Sequence, residues 1–235
     1  YAERFFEIIA QLRTQSEPAF CGLGALVTAL NTLRVDPARQ WNGHVWRWYS
    51  EDQLDCCESL DVIKQKGVTM LQLICLAKCN GLSVKSTQVV DGDDELALKA
   101  FRDCVKYTCQ REDVVLICSY SRKILGQTGS GHFSPIGCYD PDSDQVLVLD
   151  VARFKYPIHW VSLPLIFKAM NTLDSENGQY RGYMVVNKKH PGQSLLKNPG
   201  SAANAWKLLL EKFWIGMAPL FESIQVKLNI KQNRG

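Results

Sequence analysis

One cysteine of this chain stands where a protein can make a thiol most reactive. In the stretch QSEPAFCGLGALVTA (15–29), Cys21 begins an apolar run whose spacing predicts a helix to about Leu33. Unpaired backbone N–H groups and the positive end of the dipole at a helix N-terminus lower the pKa of a thiol placed there. We expect Gly22 to leave room beside the sulfur for a substrate carbonyl. Taken alone, the segment fits a buried structural cysteine as well.

A nucleophilic thiol needs a base, and its reaction needs a group that receives the oxyanion. Of the four histidines, His132 is the best candidate for the base, because the glycine-rich run GQTGSG (126–131) leads to it at the start of a predicted strand. An exposed loop histidine is the alternative interpretation. Gln15 lies shortly before Cys21, and its side-chain amide can turn back to donate to an oxyanion that the Cys21 backbone N–H also holds.

The third member of this group follows a very apolar strand. The run QVLVLDVA (145–152) places Asp150 near its end. Because a buried carboxylate is costly unless it is paired, we expect Asp150 to orient His132, although a structural pair with Arg153 is an alternative. The order cysteine, histidine, aspartate along the chain is the papain-like order, with aspartate where papain-like peptidases usually carry asparagine. It predicts attack of the Cys21 thiolate on an amide and a thioester intermediate.

The elements that must position these residues fall into an early helical part and a later strand-rich part. This order predicts an α+β fold of the papain-like cysteine-protease type, with an N-terminal helical part packed on an antiparallel sheet. A Pro/Gly/Ser-rich stretch predicts a catalytic domain over 1–190, followed by a linker and the start of a helical C-terminal region over 191–235. The patterns predict helices at 1–12, 21–33, 51–65, 69–79, 95–109 and 163–173, and strands at 82–90, 113–121, 131–140, 145–152 and 180–188.

Composition and charge narrow the classes of function. The chain has 235 residues, 46% of them hydrophobic, and a net charge of only +3, so a nucleic-acid-binding face is not expected. No apolar run reaches the length of a membrane span, and residues 1–12 predict an amphipathic helix rather than a signal peptide. The nine cysteines lack the regular spacing of a small disulfide scaffold. We therefore expect a reducing, cytoplasmic setting and no membrane partner.

Four longer motifs resemble one family. TQSEPAFCGLGALVTALN, WRWYSEDQLDCC, GQTGSGHFSPIGCY and LDVARFKYPIHWVSL are together similar to the N-terminal catalytic domain of phytochelatin synthases, over nearly all of 1–190 and in the right order. Residues 191–235 resemble only the start of the variable C-terminal region of that family. The resemblance implies a glutathione γ-glutamylcysteinyltransferase, which releases glycine from glutathione through a thioester on Cys21. The acyl group then passes to a second glutathione or to a growing phytochelatin, giving (γ-Glu-Cys)n-Gly for heavy-metal detoxification.

The resemblance also implies where the substrates bind. In LDSENGQYRGYM (173–184), Asp174 would hold the amine of the γ-glutamyl group and Arg181 its carboxylate, with Tyr183 beside them. Arg153 and Tyr156 are the candidates for the second substrate. Surface charge around a turn is the alternative for all of these residues.

The resemblance implies no tightly bound cofactor. Cd²⁺, or Zn²⁺ or Cu⁺, would act as activator and, as a metal–glutathione thiolate, as co-substrate. Thiolates suit these metals, and the resemblance connects Cys56, Cys57, Cys75 and Cys79 with the response to metal. The spacing of these cysteines differs from that of a structural zinc site, and small buried hydrophobic side chains are the alternative. No permanent metal site is predicted.

Two other functions remain open at this point. A papain-like hydrolase that removes glycine from glutathione or its conjugates would use the same three residues and lack only the second substrate site. A non-catalytic, cysteine-rich metal-binding protein would have no use for Gln15, Cys21, His132 and Asp150 together.

Overall fold

The computed structural model describes residues 1–90 and 94–189 of the chain, and their organisation is α+β as predicted. Two short 3₁₀ turns, at Trp41–Gly43 and Glu51–Gln53, accompany the regular elements. The helices are α1 (Phe5–Ala10), α2 (Cys21–Thr32), α3 (Leu60–Lys66), α4 (Met70–Cys79), α5 (Glu95–Cys109) and α6 (Leu163–Met170). The strands are β1 (Leu82–Gln88), β2 (Val114–Ser121), β3 (Gly131–Asp140), β4 (Gln145–Val148), β5 (His159–Ser162) and β6 (Gly182–Lys188).

The strands form one six-stranded antiparallel sheet in the order β1-β6-β2-β3-β4-β5. β2 is buried along its whole length and supplies side chains to both faces. Val115 and Ile117 enter the core formed with α1 to α4, whereas Leu116 and Cys118 enter the core formed with α5 and α6. Helices therefore cover both faces of the sheet, because side chains alternate along a strand and both faces of β2 are apolar.

Helix α2 lies at the centre of the first core. Every residue after Cys21 in this helix is buried, including the polar Thr28 and Thr32. Their hydroxyl groups donate to the carbonyl oxygens of Gly24 and Thr28, at 2.8 and 2.6 Å, and the Thr28 hydroxyl also accepts from Arg13 N–H at 3.1 Å. The half-buried Cys21, in the first turn of α2, therefore faces β3 from a helix that is firmly packed in the core.

The structure differs from the predicted elements in one helix and in an additional strand. The helix expected over 51–65 is wrong: after the Glu51–Gln53 turn the chain is irregular until Ser59, whose side chain caps α3 at Val62 N–H. Strand β5 was not predicted, because it has only four residues, follows Pro157 and pairs with β4 alone at the edge of the sheet.

The described residues contain no helix long and apolar enough to cross a membrane. Tyr1–Lys188 packs as one unit. The predicted boundary at residue 190 stays a prediction, and the C-terminal region over 191–235 lies outside the described residues.

Candidate active site

Cys21 is the first residue of α2, and no side chain caps this helix. The preceding residue, Phe20, occupies the N-cap position without a side-chain hydrogen bond, so the backbone donors of the first turn stay available. The Cys21 sulfur accepts hydrogen bonds from the backbone N–H groups of Gly22 and Phe133. The helix start and strand β3 thus both present donors to a developing thiolate.

His132 and Asp150 meet beside this sulfur, as the chain order predicts. His132 Nε2 lies 2.9 Å from Asp150 Oδ1, and the imidazole also forms a hydrogen bond with Cys21. Since Nε2 is used by Asp150, Nδ1 is the ring nitrogen that faces the sulfur. His132 is 4% exposed and Asp150 is fully buried, so water competes little with either contact.

The charges of the three side chains support one another. Burial opposes the thiolate, yet the charge of His132 and its hydrogen bond lower the pKa of Cys21 below its ordinary value. Burial also opposes the imidazolium, but the Cys21 charge and the hydrogen bond to Asp150 outweigh it and raise the pKa of His132. For Asp150, hydrogen bonds from His132 and Arg122 overcome burial and hold the carboxyl pKa well below its ordinary range. The arrangement favours a thiolate–imidazolium pair.

This pair gives a pH prediction with a defined sign. Because the pKa of Cys21 is lowered, its alkylation by iodoacetamide should stay fast at pH values below the ordinary thiol range near 8.5. Cys104 provides an internal control, since burial raises the pKa of its thiol to about 11. The measurement is the alkylation rate of each cysteine-containing peptide as a function of pH. We expect His132→Asn to shift the pH profile of Cys21 towards higher pH. Equal profiles for Cys21 and Cys104 would contradict the ion pair.

Arg122 is a member of the site that the sequence analysis missed. Its Nη2 donates to Asp150 Oδ1 at 3.0 Å, its Nη1 lies 2.9 Å from Asp150 Oδ2, and it is 3% exposed. The alternative pair between Asp150 and Arg153 does not form, because Arg153 is exposed and lines a separate cavity with Ile9 and Leu12. The available signal was Arg122 itself, a cation directly after the buried strand β2, when a buried carboxylate requires a partner.

Two features near the thiol differ from expectation. Gln15 lies 4% exposed beside Cys21, but its Nε2 donates to the carbonyl oxygens of Glu17 and Pro18, both at 2.8 Å, and not towards the sulfur. The space beside Gly22 is not left for a substrate: a Cβ there would collide with the Val68 side chain. Gly22 therefore admits Val68, which packs between α2 and α4.

A polar cavity of about 230 Å³ opens on one side of Cys21. Asp174 and Arg181 line it, with Arg181 Nη2 3.3 Å from Asp174 Oδ1. Arg181 is 6% exposed and its Nε has no hydrogen-bond partner among the described residues, so the guanidinium has a free donor. Tyr183, predicted to share this pocket, does not line it; its ring packs 4.9 Å from Phe101 in the second core.

The position of Arg181 depends on a glycine. A Cβ on Gly131 would lie 2.6 Å from Arg181 Cζ, so Gly131→Ala should push the guanidinium out of the cavity. Because the displaced atoms end a flexible side chain, we expect the free energy of unfolding to change by less than about 1 kcal/mol. A substrate carboxylate should lose a charge-assisted hydrogen bond, which corresponds to roughly 10- to 100-fold in kcat/KM. Thermal unfolding measures the change in stability, and steady-state kinetics measure the loss in kcat/KM. Arg181→Ala should lower kcat/KM by a similar factor.

A second cavity, of about 300 Å³, is lined by both Cys21 and His132 and shares Pro18, Ser130 and Gly131 with the first. Arg122, Lys155 and Phe154 line it, together with the glycine-rich loop 129–131. Of the two residues predicted for a second substrate, Arg153 lines neither cavity at the thiol. Tyr156 does not line this cavity either, but supports its wall: its hydroxyl accepts from Thr128 N–H at 2.8 Å.

Comparison with known proteins agrees with this geometry. A family model described as phytochelatin synthase matches residues 1–183, which is most of the chain. The chain belongs to the phytochelatin synthase family. It is 45% identical over 218 residues to glutathione gamma-glutamylcysteinyltransferase 3 of Lotus japonicus, covering 93% of this chain and 44% of that protein. The corresponding protein of Schizosaccharomyces pombe is 46% identical over 188 residues, with 80% and 44% covered.

The chain thus spans less than half the length of these curated phytochelatin synthase relatives. Among solved structures, the peptidase domain of Streptococcus ComA is similar, at 14% identity and a TM-score of 0.44, over 76% of this chain and 98% of that domain.

The four cysteines connected with metal response lie on the surface of this phytochelatin synthase fold. Cys56, Cys75 and Cys79 are exposed and Cys57 is half-buried, so their interpretation as buried hydrophobic side chains is wrong. They form two disulfides, Cys56–Cys79 and Cys57–Cys75. The sulfur atoms of Cys56, Cys57 and Cys79 lie within 4.8 Å of one another, which suits thiolates around one soft metal ion, but a disulfide offers no thiolate. A metal role for this cluster requires reduction and stays a prediction.

Proposed function

We propose that this chain is the catalytic part of a glutathione γ-glutamylcysteinyltransferase. One observation supports this best: Cys21, which is grouped with His132 and Asp150, lines two cavities, and each cavity contains cationic side chains. Arg181 serves the first cavity and Arg122 with Lys155 the second. A hydrolase needs one substrate pocket and water, whereas a transferase must hold an acyl donor and an amine acceptor on either side of the thioester.

The first half-reaction forms the thioester. The γ-glutamyl group of glutathione would bind in the first cavity, its amine on Asp174 and its carboxylate on Arg181. The Cys21 thiolate attacks the carbonyl carbon of the Cys–Gly peptide bond. As the C–N bond breaks, His132 transfers its proton to the departing glycine amine. Glycine leaves, and γ-glutamylcysteine remains on the sulfur.

Backbone groups at the start of α2 stabilise the oxyanion of this step. The Cys21 N–H is one donor at the helix N-terminus. Gln15 keeps its predicted role as the second donor if its Nε2 exchanges one backbone carbonyl, that of Glu17 or Pro18, for the oxyanion. The backbone N–H of Gln15 donates to Val151 O at 2.9 Å and holds this residue beside the segment that follows β4 and carries Asp150.

The second half-reaction returns the thiolate. The α-amine of a second glutathione, or of a growing phytochelatin, attacks the thioester carbon while His132 accepts its proton. The C–S bond breaks, a new peptide bond forms, and Cys21 leaves as thiolate. Lys155 faces the second cavity and can pair with a carboxylate of the acceptor, while the Arg122 guanidinium, held by Asp150 and Gln127, adds positive charge to the cavity wall. Cd²⁺, Zn²⁺ or Cu⁺ enters as a thiolate complex of glutathione, so the metal is part of the co-substrate.

We place this activity in the cytoplasm, where thiols are kept reduced. There the cysteines of the two disulfides would become four thiols, and those of Cys56, Cys57 and Cys79, whose sulfur atoms lie within 4.8 Å of one another, could bind a thiophilic metal ion. Activation by such metals is consistent with this surface cluster. No nucleic-acid or membrane partner is part of the proposal.

Mass spectrometry of the protein and its products tests the proposal. The protein is mixed with glutathione, with and without cadmium. We expect a γ-glutamylcysteinyl adduct on Cys21 and products of the form (γ-Glu-Cys)n-Gly that increase with the metal. Free γ-glutamylcysteine without longer products would assign a hydrolase instead. Absence of any adduct would favour the non-catalytic metal-binding protein.

A further inference from the structure

The hydrogen-bond chain that begins at Cys21 continues outwards beyond Asp150. Arg122 Nη1 donates to Gln127 Oε1 at 2.5 Å, and Gln127 Nε2 lies 3.0 Å from His159 Nε2. His159 Nδ1 lies 2.8 Å from Pro157 O. The described residues therefore include a second histidine, on β5, that connects to the first through three side chains.

The direction of every link in this outer chain is determined. A guanidinium only donates, so Gln127 must turn its Oε1 to Arg122 and its Nε2 to His159. His159 Nε2 must then accept, and its proton lies on Nδ1, which donates to Pro157 O. A flipped Gln127 amide would place two donors against each other at Arg122, so one orientation fits.

Arg122 requires the contact with Gln127, because its other contacts do not fix the rotation of its guanidinium group. The guanidinium borders the second cavity, where Lys155 and the loop 129–131 leave space. The Tyr156 ring, 4.9 Å from Cζ, supports one face of the guanidinium but does not fix rotation within its plane. Gln127 fixes that rotation by holding Nη1, and so both nitrogens remain aligned with Asp150.

We propose that Gln127, held in turn by His159, is a positioning residue of the active site. It fixes the plane of the Arg122 guanidinium, and through it the orientation of Asp150 and His132. The reaction served is the proposed transfer, so in that respect the inference rests on the proposed function. Its immediate effect is on the thiolate of Cys21, which can be measured without any substrate.

The test compares Gln127→Leu with Gln127→Glu. Leucine removes the acceptor for Arg122, and we expect the iodoacetamide profile of Cys21 to move towards the ordinary thiol range, by roughly half a pH unit or more. Single-turnover acylation by glutathione should slow roughly 10- to 100-fold, the effect of a small misplacement of reacting groups. Glutamate keeps an oxygen for Arg122 but loses the amide donor to His159, so it should restore only part of both properties.

Two further variants separate positioning from loop anchoring. Thr128→Ala removes one contact between the same loop and Tyr156 without touching Arg122, and it should leave the Cys21 profile unchanged. Arg122→Lys keeps a cation for Asp150 but cannot serve both partners. In that background, Gln127→Leu should have little further effect if Gln127 acts through Arg122.

The outcomes are distinguishable from those for the proposed function. A Gln127→Leu protein with the wild-type Cys21 profile would overturn the inference, and so would an equal shift in Thr128→Ala. If glutathione forms no thioester with the wild-type protein, the proposed function fails, while the substrate-free alkylation profile still decides whether Gln127 positions the site.

Discussion

Replacing Cys21 with serine is expected to abolish the thioester and to lower the transfer rate by at least about 10⁴-fold. Loss of the nucleophile in a comparable catalytic triad costs about 10⁶-fold in kcat. A serine hydroxyl cannot form the ion pair with His132 that lowers the pKa of the thiol, because it stays protonated at neutral pH. The measurement is glycine release and adduct mass after mixing with glutathione and cadmium.

Cys104→Ser is the matched control for this variant. Cys104 is a free, half-buried cysteine on α5, and burial raises the pKa of its thiol to about 11. It packs against the second core and lines neither cavity at Cys21. The Cys104→Ser protein should still form the adduct on Cys21 and should release glycine at the wild-type rate. A Cys21→Ser protein that still releases glycine at the wild-type rate would rule out covalent catalysis by this residue.

Replacing Asp150 with asparagine is expected to reduce both activity and stability. The corresponding change in a serine protease triad lowers kcat about 10⁴-fold, because the imidazole adopts the wrong tautomer. Here the buried Arg122 also loses its charged partner, and breaking one side of a buried ion pair costs about 3–5 kcal/mol of unfolding free energy. Glycine release and urea unfolding measure the two losses.

The stability loss should depend on pH in a defined direction. Because the pKa of Asp150 is lowered in the folded protein, its contribution is fully present above the ordinary range of aspartate. It disappears as the pH falls towards the lowered value. The difference between wild type and Asp150→Asn should therefore be large at neutral pH and shrink in strong acid.

Asp144→Asn is the control for the carboxylate. Asp144 forms a bidentate pair with Arg102, at 2.9 and 2.8 Å, but both side chains are partly exposed to water. Such a pair contributes about 1 kcal/mol or less. If Asp150→Asn is no more destabilising than Asp144→Asn, the buried pair with Arg122 does not stabilise the fold as its geometry suggests.

Much of this site follows from local patterns in the sequence. The apolar run after Cys21 predicts α2, and the alternation from Gly131 to Asp140 predicts β3 with the correct bounds. Once both elements exist, Cys21 and His132 can face each other only across the core between helix and sheet. The spacing and polarity of the residues were sufficient to predict α2 and β3, because both elements are long, apolar and bounded by clear turn signals.

The remaining features depend on contacts distant in sequence. Arg122 pairs with Asp150 because β2 and β3 form a hairpin that places the end of β2 beside the site, and no local pattern shows this. Gly22 accommodates Val68 because α4 packs beside α2. The segment after Gln53 stays irregular up to the Ser59 cap of α3, and its two cysteines lie against Cys75 and Cys79 of α4. In each case contacts between residues distant in sequence determine the local structure, and a short window of sequence does not contain them.

The position of the nucleophile on the first long helix affects how the protein matures. During synthesis Cys21 leaves the ribosome well before His132 and Asp150, so in the nascent chain it is an ordinary thiol. Its acidity arises only when β3 and the residues after β4 have folded against α2. An unfinished or misfolded chain therefore carries no reactive thiolate at this position, and the protein cannot acylate itself before its substrate cavities exist. The rate of Cys21 alkylation at mildly acidic pH would accordingly report the fraction of molecules in which the sheet has folded against α2.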